Sequence, residues 1–460
     1  MGLTAPALRG ERAPRSRWWR QVTRYQWFMF AVVSAAWLFD NLDQRLFSLA
    51  RIPALTTLMD GRASALQVQA FAKVVTALFL IGWGIGGLTL GALGDRFGRA
   101  RLLTAAILLY SVGTGLTALS ASGWQFALLR LLTGLGIGGV FGLAAAILAE
   151  SVPGRARLAM LAILQVLSTV GNMGAALVKM GVDLLASSGA IRAEQSWRWL
   201  FAAGALPAAL AGLSGLYLRE SDSWLRLRAA GALPRRWFGS YAQLLSQREE
   251  RRNLLLGSLL AIAGVVGLWG IGEYAVDLQH AVFSSYFAQR NPASDVGALV
   301  AQAINRAYLS QMAGAALGMF GFTYVAGRFG RRPAFIVGFF AALVLTLLVY
   351  GRLRTPIDAY WMMPLMGVAQ FSVFAGFAIY LPELFGAKVR ATGVSFAYNL
   401  GRFAAAGGSF LSAWLTTRLF ARFAYPAPLR YAAMTMCSIF LLGLIAALFA
   451  PETRGRELRE

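Results

Sequence analysis

Twelve stretches of roughly 20 apolar residues, parted by short basic loops, constrain this chain more than any other feature. They lie near 27–50, 71–94, 102–121, 124–149, 158–186, 197–218, 254–283, 305–326, 334–351, 359–381, 391–417 and 430–450. A backbone group in hydrocarbon finds no water partner, so each stretch is confined to helix. The set also repeats itself. Gly91-Ala-Leu-Gly-Asp95-Arg96-Phe-Gly98-Arg99 closes the second stretch, and Gly321-Phe-Thr-Tyr-Val-Ala-Gly327-Arg328-Phe-Gly330-Arg331-Arg-Pro333 closes the eighth. Gly98 and Gly330 stand about 232 positions apart, close to half the chain. Glu150-Ser-Val-Pro-Gly-Arg-Ala-Arg157 is echoed by Glu383-Leu-Phe-Gly-Ala-Lys-Val-Arg390 at nearly the same offset. Parallel repeats of this kind mark two-halved membrane transporters.

Only 14% of the 460 residues are charged, against about 25% in soluble domains. A net charge of +23 would suggest nucleic acid in a soluble protein. Here the arginines sit in short loops between apolar stretches, so they read as an orientation signal and no nucleic-acid partner is expected. An even number of spans puts both termini on one side. That side carries about 27 Lys and Arg, and the opposite loops about 12. Basic loops stay cytoplasmic, which predicts a cell inner membrane protein with both termini inside.

The expected organisation is a cytoplasmic tail at 1–26, a six-helix bundle at 27–218, a cytoplasmic central loop at 219–252, a second bundle at 253–450 and a tail at 451–460. Arg235-Arg236-Trp237 and the run Arg248–Arg252 suit either a surface helix on anionic headgroups or a solvated linker. The arginines before residue 25 resemble the start of a signal peptide, but the apolar run after them is too long and lacks a cleavage site. A single Cys437 and a single His280 leave no internal disulfide and no Cys/His metal cluster, and no cofactor is expected. Gly134-Leu-Gly-Ile-Gly-Gly139 superficially matches a phosphate loop, but it follows no strand and lies in an apolar helix.

The loop motif Gly91-x-x-Gly-Asp95-Arg-x-Gly98-Arg99 resembles the signature of the major facilitator superfamily between spans 2 and 3. Arg130-x-x-x-Gly134-x-Gly136 is similar to that superfamily's span-4 signature. Leu218-Arg-Glu220-Ser-Asp-Ser-Trp224-Leu looks like the motif that closes span 6 in sugar and organic-acid porters. Asp40-Asn-Leu-Asp43 is similar to the paired-aspartate motif of aromatic-acid:proton and sialate:proton symporters, with Asn41 where that branch usually has glycine. Tyr398-Asn-Leu-Gly-Arg402 resembles the same branch. The Gly-Pro motif of drug antiporters is missing from Val170-Gly-Asn-Met-Gly174. The resemblance implies an all-α integral membrane fold of twelve transmembrane helices in two pseudo-symmetric six-helix bundles, working by alternating access as a monomer.

Ionisable side chains inside a span are costly and suggest function. Asp40 and Asp43 in span 1 and Arg130 in span 4 fall at similar depth, so either aspartate is expected to pair with Arg130, as a proton-coupling group or as a static brace. Arg402 in span 11 reads as a substrate-anion ligand or a structural pair. Arg45 reads as a partner of Asp43 or an entrance charge. Gln165, Asn172, Trp269, Gln370, Tyr398 and Asn399 are further candidate substrate ligands, and Glu273 with Asp277 a candidate entrance pair. The cytoplasmic gate is expected from Gly91, Asp95, Arg96, Gly98, Arg99, Glu150, Arg328, Arg331, Glu383 and Arg390, with Asp95 accepting from a helix end of the second half, most plausibly span 11. Gly327 stands where the repeat requires an aspartate, so the second copy is expected to latch more weakly.

These readings converge on proton-coupled uptake of a small organic anion, an aromatic or sugar acid, with protons and the lipid bilayer as partners. A porter or facilitator of neutral sugars is the alternative within transport. A transporter-like receptor without flux is the alternative outside it. No catalytic cluster supports an enzyme.

Overall fold

A computed structural model describes residues 18–59, 63–234, 238–290 and 296–459. Among these, every regular element is a helix. Twelve long helices follow the twelve apolar stretches. In the first half they are α1 (Arg24–Leu58), α2 (Ala65–Phe97), α3 (Arg99–Thr117), α4 (Gly123–Ser151), α5 (Gly154–Ser187) and α6 (Ala193–Tyr217). In the second they are α7 (Arg248–Arg290), α8 (Val296–Arg328), α9 (Arg331–Arg352), α10 (Pro356–Leu384), α11 (Arg390–Trp414) and α12 (Ala427–Phe449). Among the described residues, nine are long and apolar enough by composition alone to cross a membrane. The other three, α1, α8 and α11, carry Asp40, Asp43 and Arg45, then Asn305, Arg306 and Gln311, then Asn399 and Arg402. Asp40, Asp43, Asn399 and Arg402 of α1 and α11 are buried in the bundle, whereas Asn305 and Arg306 of α8 are exposed.

The helices overrun the apolar stretches because polar caps extend them. Thr23 with Gln26, Ser64 with Gln67 and Thr355 with Asp358 form capping boxes at α1, α2 and α10. α7 begins at Arg248, inside the segment read as a 219–252 loop, and Glu249 and Glu250 in its first turn suit the helix dipole. Arg235-Arg236-Trp237 and the Glu273 side chain lie outside the described residues.

Glycine sets the packing of each half. α2 lies along α4, and α8 along α10. Gly82 and Gly86 abut the backbone of Leu131 and Leu135 with no room for a Cβ, and Gly314 and Gly318 do the same against Pro364 and Val368. The two glycine pairs stand at the repeat offset from each other. Lipid provides no hydrophobic drive between helices, so close backbone contact through small residues holds them together. The loops carrying the repeated motifs gather at one end of the bundle, the motif face. Two short helices of the central segment, Asp222–Ala229 and Gly239–Ser246, join them there.

Candidate functional site

At the motif face, four buried charges close the gap between the halves. Asp95, at the end of α2, accepts from the Ala391 and Thr392 backbone N–H groups (3.2 and 2.9 Å) and from the Thr392 hydroxyl (2.6 Å). These donors form the first turn of α11, where free N–H groups and the dipole favour an anion. Arg99 donates to Asp95 (3.0 Å), to Glu150 and to the Ala387 carbonyl of the other half. Glu150 also accepts from Arg390 and from the Ser221 hydroxyl. Two carboxylates thus meet two guanidiniums, and all four groups are excluded from solvent. Gly91 lets α2 approach Ser395 and the Ala391 carbonyl.

The motif that closes span 6 belongs to this network. Trp224 Nε1 donates to the Asp95 carbonyl (2.9 Å). Glu220 accepts from the backbone N–H groups of Arg99, Ala100 and Arg101 (2.8, 3.1 and 3.2 Å), capping α3. Gly98 has φ +114° and faces the Glu220 carboxylate, so a side chain there would be strained and would clash. The second half copies this cap with Glu452, which accepts from Arg331 and Arg332 (2.9 and 3.1 Å) beside Gly330 at φ +116°. Burial opposes the charge on Glu452, but the backbone donors of Arg331, Arg454 and Arg332 hold its carboxyl below the usual range. Glu452 was not singled out from sequence, although it follows Glu220 at the repeat offset.

The ion pair of the second motif copy does not cross between halves. Arg331 pairs with Glu383 (2.8 Å), and Glu383 accepts from Thr453 (2.6 Å), all within the second half. Gly327 packs against Leu158, leaving no carboxylate at the Asp95 position. Arg328 donates to Tyr324 of its own helix (2.9 Å), and Arg96 lies over the Phe97 ring, so neither joins the ion network.

Inside the bundle the two aspartates of α1 part company. Asp43 accepts from Thr114 (2.6 Å) and pairs with Arg130 (3.4 Å). Arg130 also donates to Thr117 (2.7 Å) and Thr114 (3.1 Å) and lies over the Phe201 ring. This cluster ties α1, α3 and α4 together with its donors satisfied. Asp40 has no such partner. One oxygen accepts from Gln44 (2.9 Å), and the other is buried without a hydrogen bond. Arg402 and Tyr398 lie within electrostatic reach of Asp40.

Arg402 sits between two rings, 3.7 Å from the Trp83 centroid and 4.5 Å from that of Tyr398. It donates to Asn399 (3.0 Å), which in turn donates to Ser395 and to Gly138 of the other half. Among the described residues no carboxylate lies within ion-pair distance of Arg402. Its guanidinium lines a cavity of about 90 Å³ between α1, α2, α7 and α11. Trp83 stands about 18 Å along α2 from Asp95 at 1.5 Å per residue, so the cavity lies well beyond the closed face. Gln44, Phe47, Phe79 and Trp269 complete much of its wall. Trp269 comes from the π turn Val266–Gly270 of α7, the kind of bulge that often marks a functional site.

Other expected ligands stand elsewhere. Arg45 lies over the Tyr308 ring (4.2 Å), away from Asp43, whose charge is taken by Arg130. Asn172 donates to Ser168 of its own helix, and Gln370 to Thr346 of α9. Gln165 is buried outside the cavity wall. Gln44 and Trp83 were missed by sequence reasoning. Gln44 was recoverable as the polar neighbour one turn from Asp40, whereas Trp83 reads as one more aromatic in an apolar span.

Two parallel six-helix halves, a buried inter-half ion clasp and a central cavity with intramembrane charges define a multi-pass secondary transporter of the major facilitator type. The chain is not an enzyme. It belongs to the sugar (and other) transporter family, which it matches over residues 30–231 and 300–460. It is 29% identical over 444 residues to the probable 4-methylmuconolactone transporter of Cupriavidus pinatubonensis, covering 95% of this chain and 93% of that protein. It is 27% identical over 384 residues to the cis,cis-muconate transport protein of Acinetobacter baylyi, covering 82% and 84%. Its fold matches a proton:xylose symporter at TM-score 0.72 and 20% identity, over 94% of this chain and 98% of that one.

Proposed function

We propose that this protein carries a small organic acid together with a proton into the cell across the inner membrane. The carrying observation is Arg402, a buried guanidinium held between two rings, facing a cavity and, among the described residues, without a carboxylate at ion-pair distance. A buried unpaired charge costs several kcal/mol, and an organic carboxylate with an apolar frame supplies both the missing anion and a surface for Trp83. Relatives named for muconate and methylmuconolactone transport favour an acid over a neutral sugar.

Asp40 is the proposed proton carrier, and Asp43–Arg130 the brace beside it. A substrate anion on Arg402 cancels the positive charge facing Asp40, and a proton on Asp40 restores the balance. The motif face is the cytoplasmic one, because it collects the arginine-rich loops. The two halves are proposed to rock about the cavity as a monomer, with the Asp95–Arg99–Glu150–Arg390 clasp opening when the inner side opens. In right-side-out vesicles an inward proton gradient should accumulate an aromatic acid and leave xylose unconcentrated. A cysteine at exposed Ser187, with buried Cys437→Ser, should label from outside in the same vesicles. Accumulation of xylose without the acid would sink the reading.

Asp95→Asn tests the clasp. Its loss weakens a charged helix cap by an amount on the order of 1.4 kcal/mol, which is tenfold in population. Net transport should slow by roughly that factor while substrate affinity holds. Unchanged flux at normal expression counts against a gating role.

A further inference from the structure

We infer that the cavity is built for a dicarboxylate, with Arg51 as a specificity-determining second anion site. This rests on the acid reading of Arg402. Arg51 lines the same cavity as Arg402. Its hydrogen-bond partner is a neutral hydroxyl, Thr76 Oγ1 at 2.8 Å, and Thr76 in turn donates to its own helix. Among the described residues no carboxylate lies within ion-pair distance of Arg51. Among the described residues, the cavity therefore presents two guanidiniums with no carboxylate at ion-pair distance.

Their placement sets the shape of the ligand. Gln44 bonds Asp40 and lines the cavity with Arg402, and Arg51 lies about 10 Å past Gln44 along α1 at 1.5 Å per residue. Phe47, Phe79, Trp83 and Trp269 line the same cavity and offer no charge to a ligand's middle. A flat, unsaturated frame with a carboxylate at each end satisfies both cations and packs its middle against the rings. A monoacid leaves Arg51, half-buried at the cavity wall, with only the Thr76 hydroxyl as partner.

Matched pairs separate the second charge from the frame. The ring pair is p-toluate and terephthalate, and the linear pair is sorbate and muconate. Binding to the purified full chain is read from quenching of tryptophan fluorescence. In at least one pair the diacid should bind tighter than its monoacid by about tenfold to a hundredfold, as a charge-assisted contact allows. Arg51→Gln should bring that diacid down to the monoacid level and leave the monoacid within about twofold. Arg51→Lys should keep part of the preference, since charge remains without the planar fork. Equal binding within both pairs overturns the inference, as does a diacid preference that survives Arg51→Gln. If no acid binds and a neutral pentose does, the acid reading itself has failed and this inference falls with it.

Discussion

Asp40→Asn is expected to abolish uphill accumulation while counterflow persists. A one-unit pH gradient can sustain about a tenfold concentration ratio per proton, and the variant should show a ratio near one. Asp40 is the only one of the two α1 aspartates left with an unpartnered oxygen among the described residues, and Arg402 and Tyr398 stand close enough to sense its charge. Asparagine keeps the shape and the bond to Gln44 but carries no titrating proton. Counterflow requires only exchange of bound substrate, so it should survive. Asp43→Asn should fail differently. It leaves Arg130 buried without its carboxylate, and breaking such a pair costs about 3–5 kcal/mol. The melting temperature should fall, and pairing the change with Arg130→Met should recover part of it. Full pH-driven accumulation in Asp40→Asn would move the proton carrier elsewhere.

Arg402→Ala should remove counterflow as well as accumulation, because it takes away the proposed ligand of the anion. Substrate affinity should drop by about a hundredfold or more, the scale of a lost charged hydrogen-bond pair. Arg402→Lys should retain weak binding, since lysine keeps the charge but neither forks onto a carboxylate nor stacks between Trp83 and Tyr398 in the same way. Comparing the two phenotypes separates recognition from coupling. Exchange without accumulation belongs to Asp40, and loss of both belongs to Arg402. Near-normal counterflow in Arg402→Ala would show that the substrate is held by other groups.

Much of this arrangement is written in the spacing of the chain. The loop motif containing Asp95 and Arg99, its weaker copy at Arg331 and the glycine pairs Gly82/Gly86 and Gly314/Gly318 all keep one offset. Glu452 keeps it too, and could have been found by carrying Glu220 forward. Hydropathy read the helices too short, because Thr23, Ser64 and Thr355 cap them outside the apolar stretches. The proposed substrate ligands were less legible. Polar residues within spans divide between those facing the cavity, such as Gln44, and those bonded to a neighbouring helix, such as Gln370, and their sequence contexts look alike.

The sequence by itself determined the twelve helices, the two halves and the uneven charge of their loops. These properties are local: length, apolarity and backbone hydrogen bonding within one stretch decide each span, and repetition decides the rest. The tertiary structure alone decided which aspartate is braced and which is left open. Asp40 and Asp43 are three residues apart and point about 60° apart around α1. That rotation puts Asp43 against Thr114 and Arg130 and leaves Asp40 beside Gln44. It also decided that Arg402 stands between Trp83 and Tyr398 rather than beside a carboxylate, since Trp83 reaches it from the other half of the chain. Such contacts depend on how helices hundreds of residues apart are turned toward each other, and no local pattern encodes that rotation.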